Sequence, residues 1–437
     1  MAKSRVPRRS TGSGVIVGEN AVLTSAHVVA NATFLQVQRS ESSNKPVARV
    51  SSLCHDCDLA LLEVEGPHFM DRVEPVEIGD LPNLRDRVAV MGFPVGGDEV
   101  SVTEGVVSRI EVQRYSHSQR CHLAITVDAA INKGNSGGPV FKDGRVVGIA
   151  FQGLSQADGI GELVPPPLIQ HFLCNAKQHA RVDLPALGIS CQNLENPALR
   201  ARLGMDDQQS GLLVVDVDYE SSAWGVLHAG DALLAIGEHR LANNGTVRYR
   251  HRHRCHYDVL LSDKHVGDPL PITILRAGQM QTVELTLQRK TDLVPRSRYE
   301  HSPTYFVFGG LVFQTLCRDF LATWSNWWEK APKEFLHLYR TGRRTPERTE
   351  VVVLSQVLAD EVNVGYEHLD SESVHKVNGE APRDMRHFVD QVTAASGFLE
   401  LELGSGRRIV LHTEEARRRA AAILARYHIH KDRSGDL

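Results

Sequence analysis

Asn132-Lys133-Gly134-Asn135-Ser136-Gly137-Gly138-Pro139 is the stretch on which the reading of this chain turns. Glycines flank Ser136 on both sides and leave open the space where a peptide carbonyl has to approach. Gly134 can adopt backbone angles that strain other residues. That freedom lets its N–H and the N–H of Ser136 converge on a developing oxyanion, usually the largest single term in acyl-transfer catalysis. A serine hydroxyl is a weak nucleophile and needs a base, which a third group must orient. Two candidates stand upstream: His27 in Leu23-Thr24-Ser25-Ala26-His27-Val28-Val29, and Asp58 at the head of Asp58-Leu59-Ala60-Leu61-Leu62. Each has an ordinary structural reading by itself, as a tight turn, a core histidine or a turn aspartate. Together, in the order His, Asp, Ser and each at the end of an apolar run, they read as a catalytic triad.

Composition narrows the class. With 437 residues the chain is long enough for two to four domains. An apolar share of 42% and a charged share of 23% are those of an ordinary globular protein. The net charge of −4 gives no general attraction to nucleic acid or to an anionic membrane. No apolar run is long enough to span a bilayer, so no membrane partner is expected. Residues 1–10 carry Lys3, Arg5, Arg8 and Arg9 with no apolar core behind them, which is not the pattern of a secretory signal. Seven scattered cysteines, an odd count, fit a reducing compartment better than a disulfide framework, so a cytoplasmic or nuclear location is expected.

Residues 11–175 read as short strands broken by Gly, Pro and Asp turns, at 14–17, 21–23, 59–64, 87–92, 105–110, 123–127 and 146–151. That spacing suggests a barrel or sandwich. Pro165-Pro166-Pro167 followed by 168–174 predicts a helix that closes this region. Further on, a strand, a small-residue connection and a second strand ending in a turn occur twice. The first copy is Gly211–Val217 with Ala229–Gly237 and the second is Val351–Val357 with Val374–Glu380, the mark of a duplicated module. Residues 291–303 are polar and Pro-bearing, as a linker is. Residues 320–344 have a helical pattern with Trp324, Trp327 and Trp328, read first as packing and second as a ligand surface. Residues 413–427 predict a C-terminal helix, acidic early and basic after.

The order His, Asp, Ser is that of chymotrypsin-like β-barrels and not of subtilisins or α/β-hydrolases. Thr11-Gly12-Ser13-Gly14-Val15-Ile16-Val17, the His27 and Asp58 segments and the Ser136 loop together resemble the HtrA/Deg serine proteases, and the repeated modules look like that family's PDZ domains. Within the family the chain is most similar to the plant Deg proteases of the nuclear or nucleolar type. The residues that carry this are 100–109, Asp128-Ala129-Ala130-Ile131-Asn132, Asn196-Pro197, Leu199-Arg200, 353–366 and the terminal Ser434-Gly435-Asp436-Leu437. The resemblance implies a mainly β protein. A chymotrypsin-like double β-barrel protease domain (1–180) precedes two α/β PDZ domains, at 183–290 and 304–437, the second with a helical insertion and the C-terminal helix. It implies ATP-independent cleavage of unfolded or damaged polypeptides and a trimer-based homo-oligomer. His27 is then the general base, Asp58 its partner and Ser136 the nucleophile, with Gly134, Asn135 and Ser136 forming the oxyanion hole and its loop. Leu187-Gly188-Ile189 and Gly310-Leu311-Val312 match the PDZ loops that receive peptide C-termini or internal strands. No cofactor and no metal is implied.

The sequence departs from the family pattern in three places. Only about ten basic residues precede the Gly-Ser-Gly motif, where a first strand normally lies, so either the start is misplaced or the first barrel is open at one edge. In Ile160-Gly161-Glu162-Leu163, candidates for the substrate pocket, Glu162 stands where relatives have an aromatic or apolar residue. His228-Ala229-Gly230-Asp231 replaces a Pro-Gly-Asp turn.

Two other signals carry less weight. Cys54-His55-Asp56-Cys57 has C-x-x-C spacing but lacks a second ligand pair with zinc spacing. Arg248-Tyr249-Arg250-His251-Arg252-His253-Arg254 is basic with one aromatic, and is read as a solvated surface segment before a nucleic-acid contact. The glycine-rich loops at 96–103 and 153–161 flank the site and are where a switch between resting and active states is expected. The competing reading is a PDZ peptide-binding scaffold or holdase chaperone whose protease domain is latent.

Overall fold

The computed structural model describes residues 9–66, 68–94, 99–153, 159–250 and 252–437. The two loops expected to switch, the basic N-terminal residues and His251 fall partly or wholly outside these. One compact unit ends at Lys290 and a second runs Thr291–Leu437.

The first unit starts with a five-stranded sheet in the order Val15–Gly18, Ala21–Thr24, Leu59–Val64, Val47–Cys54, Leu35–Gln36. Its edges are not joined among the described residues. Val22, Ala48, Ala60, Leu62 and Val64 fill one face. A six-stranded closed barrel follows, in the order Arg145–Gly153, Gly161–Val164, Cys121–Val127, Ser101–Arg114, Arg87–Gly92, Pro139–Lys142. Closure leaves this barrel no free edge. The two sheets meet through Leu23, Cys54, Cys57 and Leu59 on one side and Tyr115, Ala124, Ile149, Phe151 and Val164 on the other. The helix Pro166–Ala176 starts on a proline, whose missing N–H has no partner at a helix start anyway, and buries Leu168, Ile169 and Phe172 in the same cluster.

Residues 183–290 build an antiparallel sheet in the order Ile189–Asn193, Leu212–Val217, Ala232–Ile236, Pro269–Arg276, Gln279–Thr286. The basic stretch is a hairpin, Thr246–Tyr249 against His253–His256. Strand alternation splits it into two faces. Val247, Tyr249 and Cys255 are buried in one apolar cluster with Ile110, Leu123 and Ile125 of the closed barrel, while Arg248 and Arg254 stay outside. The reading of this stretch as a solvated segment holds for its arginines, with Arg248, Arg250, Arg252 and Arg254 exposed, while Tyr249 turns inward to the core.

The second unit is a six-stranded sheet in the order Tyr305–Phe308, Leu311–Thr315, Val352–Val357, Glu372–Val377, Phe398–Leu403, Arg408–His412. Helix Met385–Ala394 lays Met385, Phe388, Val389 and Val392 on it, a helical spacing, and Asp384 caps its start by accepting the His387 N–H at 2.8 Å. The expected linker is anchored here, because Leu293 and Val294 are buried with Leu316, Leu321, Phe335 and Val353. Trp324 and Trp327 pack on that cluster, as the first reading of the tryptophans has it, whereas Trp328 is exposed. The C-terminal helix is Thr413–Arg426.

Candidate active site

Strand pairing brings His27 and Asp58 together. Ala21–Thr24 runs antiparallel to Leu59–Val64 with Thr24 opposite Ala60. The one-turn helix Ala26–Val29 follows the first strand and Asp58 precedes the second, so His27 and Asp58 emerge at the same end of the sheet. Asp58 turns into its strand at φ +57°, a conformation short polar side chains tolerate. Its carbonyl accepts the Ala26 N–H at 3.1 Å, its Oδ1 accepts the His27 backbone N–H at 2.8 Å, and its Oδ2 lies 2.6 Å from His27 Nδ1. An ionised carboxylate only accepts, so the imidazole proton sits on Nδ1 and Nε2 is the free basic nitrogen. Burial opposes a charge on His27, but the hydrogen bond and negative charge of Asp58 outweigh it and hold the pKa above the ordinary 6.5. His117, which no sequence signal singles out, comes to within 6.1 Å of the His27 ring, centroid to centroid, and its Nε2 lies 2.7 Å from His55 Nδ1.

The nucleophile loop belongs to the closed barrel. Gly134 and Gly137 have φ of +102° and +83°, and a Cβ on Gly137 would run into Thr24 Oγ1 and the Ser13 carbonyl. The Ser136 carbonyl accepts the Ser13 N–H at 2.9 Å, and the Gly137 N–H donates to Ala150 at 2.7 Å. The Asn135 N–H donates to the Asn132 carbonyl at 3.0 Å. Asn135, expected to share the oxyanion hole, therefore spends its amide on the loop's own turn. Among the described residues the amides of Gly134 and Ser136 donate to no backbone carbonyl, which leaves them for an incoming oxygen. The Ser136 hydroxyl is half-buried and takes no hydrogen bond among the described residues. A base–nucleophile contact is commonly long until substrate is bound.

Comparison with known proteins places the chain in a family. The profile of trypsin-like peptidase domains matches residues 12–149, and that of a PDZ domain matches residues 294–436. Protease Do-like 2, chloroplastic, of Arabidopsis thaliana is 38% identical over 436 residues, which cover 98% of this chain and 71% of that one. Putative protease Do-like 3, mitochondrial, of the same plant is 36% identical over 431 residues, covering 98% and 75%. The chain belongs to the HtrA/Deg family of serine endopeptidases. Among solved structures, the HtrA-type protease AlgW with tripeptide superposes at a TM-score of 0.53 with 26% identity, covering 64% of this chain and 90% of that one.

In this HtrA/Deg protease the strand register separates the pocket candidates. Gly161 pairs with Gly153, Glu162 with Gln152 and Leu163 with Ala150. The face carrying Gly161 looks onto Ile131, whose side chain a Cβ would strike, and Leu163 sits in the barrel core. Glu162 points to the opposite face, where Gln152 Nε2 donates to it. Burial raises the Glu162 pKa, and the Gln152 hydrogen bond opposes the rise only in part. Ile160 is half-buried at the start of the strand. Cys54 and Cys57 are fully buried, and burial together with the Cys54 contact pushes the Cys57 thiol far up, leaving it a packing group.

The two candidate peptide loops differ. Gly188, at φ +73°, leads into Ile189–Asn193, which lies at the edge of its sheet, while Leu187 is buried beneath. Gly310 closes a hairpin, and Leu311–Thr315 is paired on both sides, to Tyr305–Phe308 and to Val352–Val357. The expectation that Leu311 and Val312 offer free amides to a peptide is thus corrected, since neighbouring strands of the same chain already use that strand's edges. Beyond Tyr305–Phe308 lies the chain's own tail: Val307 N–H donates to Asp432 at 2.7 Å and Ser434 N–H to Tyr305 at 3.0 Å.

Proposed function

We propose that this endopeptidase cleaves unfolded or damaged polypeptides through His27, Asp58 and Ser136, without ATP. Ser136 Oγ attacks the scissile carbonyl while His27 Nε2 takes its proton. Asp58 stabilises the imidazolium, and the Gly134 and Ser136 amides bind the oxyanion. His27 then protonates the leaving amine, and water hydrolyses the acyl-enzyme by the same route. The observation that carries this reading is the double hold of the buried Asp58 on His27, beside a nucleophile loop with two uncommitted amides. Digestion of casein by the full chain beside Ser136→Ala tests it. Loss of casein with the unmodified chain alone is expected, and specific cleavage by the variant overturns it. Binding of unfolded chains without turnover by either is the outcome of the scaffold or holdase reading.

A peptide C-terminus or internal strand adds to the Ile189–Asn193 edge, making residues 183–290 the first PDZ domain; the edge position supports this. The family relationship supports assembly into a trimer-based homo-oligomer. Seven free cysteines support a reducing compartment, cytoplasm or nucleus, while the Arabidopsis relatives bear mitochondrial and chloroplastic names, so organelle fractionation is the test. Among the described residues no helix is long and apolar enough to cross a membrane.

A further inference from the structure

We infer that Ser13 is a positioning residue for the oxyanion hole, acting through its hydroxyl. The inference rests on the reading of Ser136 as nucleophile. Ser13 lies outside the nucleophile loop, ahead of the strand Val15–Gly18 in the other sheet of the protease region, and is buried. Its hydroxyl donates to the Gly134 carbonyl at 2.7 Å and accepts the Phe93 N–H at 2.8 Å. Its own N–H donates to the Ser136 carbonyl at 2.9 Å, and its carbonyl accepts the Thr24 hydroxyl at 2.6 Å. One residue thus ties the loop to the strand that leads to His27 and to the end of the strand Arg87–Gly92.

The effect on the oxyanion hole follows from planar peptides, whose N–H and C=O point opposite ways. The 134–135 plane is held at its carbonyl by the Ser13 hydroxyl and at its N–H by Asn132. The 135–136 plane is held by Gly138 N–H on the Asn135 carbonyl at 2.9 Å, which aims the Ser136 N–H the other way. The 136–137 plane is held by the Ser13 N–H and by Ala150. Glycine at 134 puts little torsional resistance in the way of rotation. Without the Ser13 hydroxyl, the Gly134 carbonyl and the Phe93 N–H both lose their partner in a buried place. The 134–135 plane then keeps only its Asn132 contact, and a turn of it loosens the relative aim of the Gly134 and Ser136 amides on either side.

Ser13→Ala is expected to lower kcat/KM about 10- to 100-fold, less than the roughly 100- to 1,000-fold cost of removing an oxyanion donor outright. The loss should lie in kcat, with KM within about twofold, because ground-state contacts stay in place. Affinity for a peptidyl boronic acid, whose oxygen occupies the oxyanion position, should fall by the same factor as kcat/KM. Affinity for the matching product peptide should stay. Ser13→Thr, which keeps the hydroxyl, should restore the boronate-to-product affinity ratio. Unchanged kcat and boronate affinity in Ser13→Ala, or equal loss for boronate and product, overturns the inference. Should Ser13→Ala fail to fold, Ser13→Thr decides alone: a ratio like that of the unmodified chain supports it and a lowered ratio overturns it. An inactive unmodified chain, or an active Ser136→Ala, is instead a failure of the protease reading.

Discussion

Asp58 grips His27 twice, once at the backbone N–H and once at Nδ1, with a different carboxylate oxygen for each. The first contact places the residue and the second selects the tautomer. Because Asp58 is fully buried, water does not compete for either oxygen.

Asp58→Asn keeps the shape and the backbone contact but turns one acceptor into a donor. The imidazole then carries its proton on Nε2, where it cannot act as a base. Loss of about a thousand- to ten-thousand-fold in kcat is expected, the scale seen for this exchange in a serine-protease triad, with thermal unfolding little changed. A loss under tenfold in steady-state peptide hydrolysis would be incompatible with the assigned role.

The pH profile follows from the raised His27 pKa. Only neutral His27 accepts the serine proton, so kcat/KM should fall on the acid side with an inflection above pH 6.5. The stability effect has the opposite slope. A histidine bound more tightly to its proton when folded adds stability at low pH, and that share disappears as pH rises through the folded pKa. A pH–rate titration with a small peptide substrate checks the first, and an inflection below pH 6 contradicts it.

Glu162→Gln separates packing from specificity. The Glu162 pKa is raised by burial, so the folded state prefers the protonated acid, and its contribution falls as pH rises from 4.5 through the folded value. An amide of the same shape can still accept from Gln152 and carries no charge. Stability at neutral pH should rise, because no charge has to stay buried, read as an upward shift in the denaturation midpoint. Because Glu162 faces away from Ile131, the preference for the residue before the cleaved bond should not change. A changed preference in a peptide-library digest would place its side chain in the pocket after all.

The family and the candidate site residues were legible from sequence where a single stretch of chain carries the constraint. Ser136 between glycines, His27 closing an apolar run and Asp58 opening one are local patterns, and the proline run that starts Pro166–Ala176 is another. Alternation along Thr246–Tyr249 was hidden, because arginines and histidines at neighbouring positions mask the buried Val247 and Tyr249.

Tertiary structure decided what depends on partners distant in sequence. Gly188-Ile189 and Gly310-Leu311 look alike as text, yet one leads into an edge strand and the other into a strand with both edges paired. Glu162 took its direction from the register against Gln152, where a shift of one residue would have reversed its face. Ser13 gained a role only when folding set it against Gly134 and Phe93. A backbone donor or acceptor is the same group in every residue, so sequence names the reactive side chains while the fold determines which amides and edges remain unpaired.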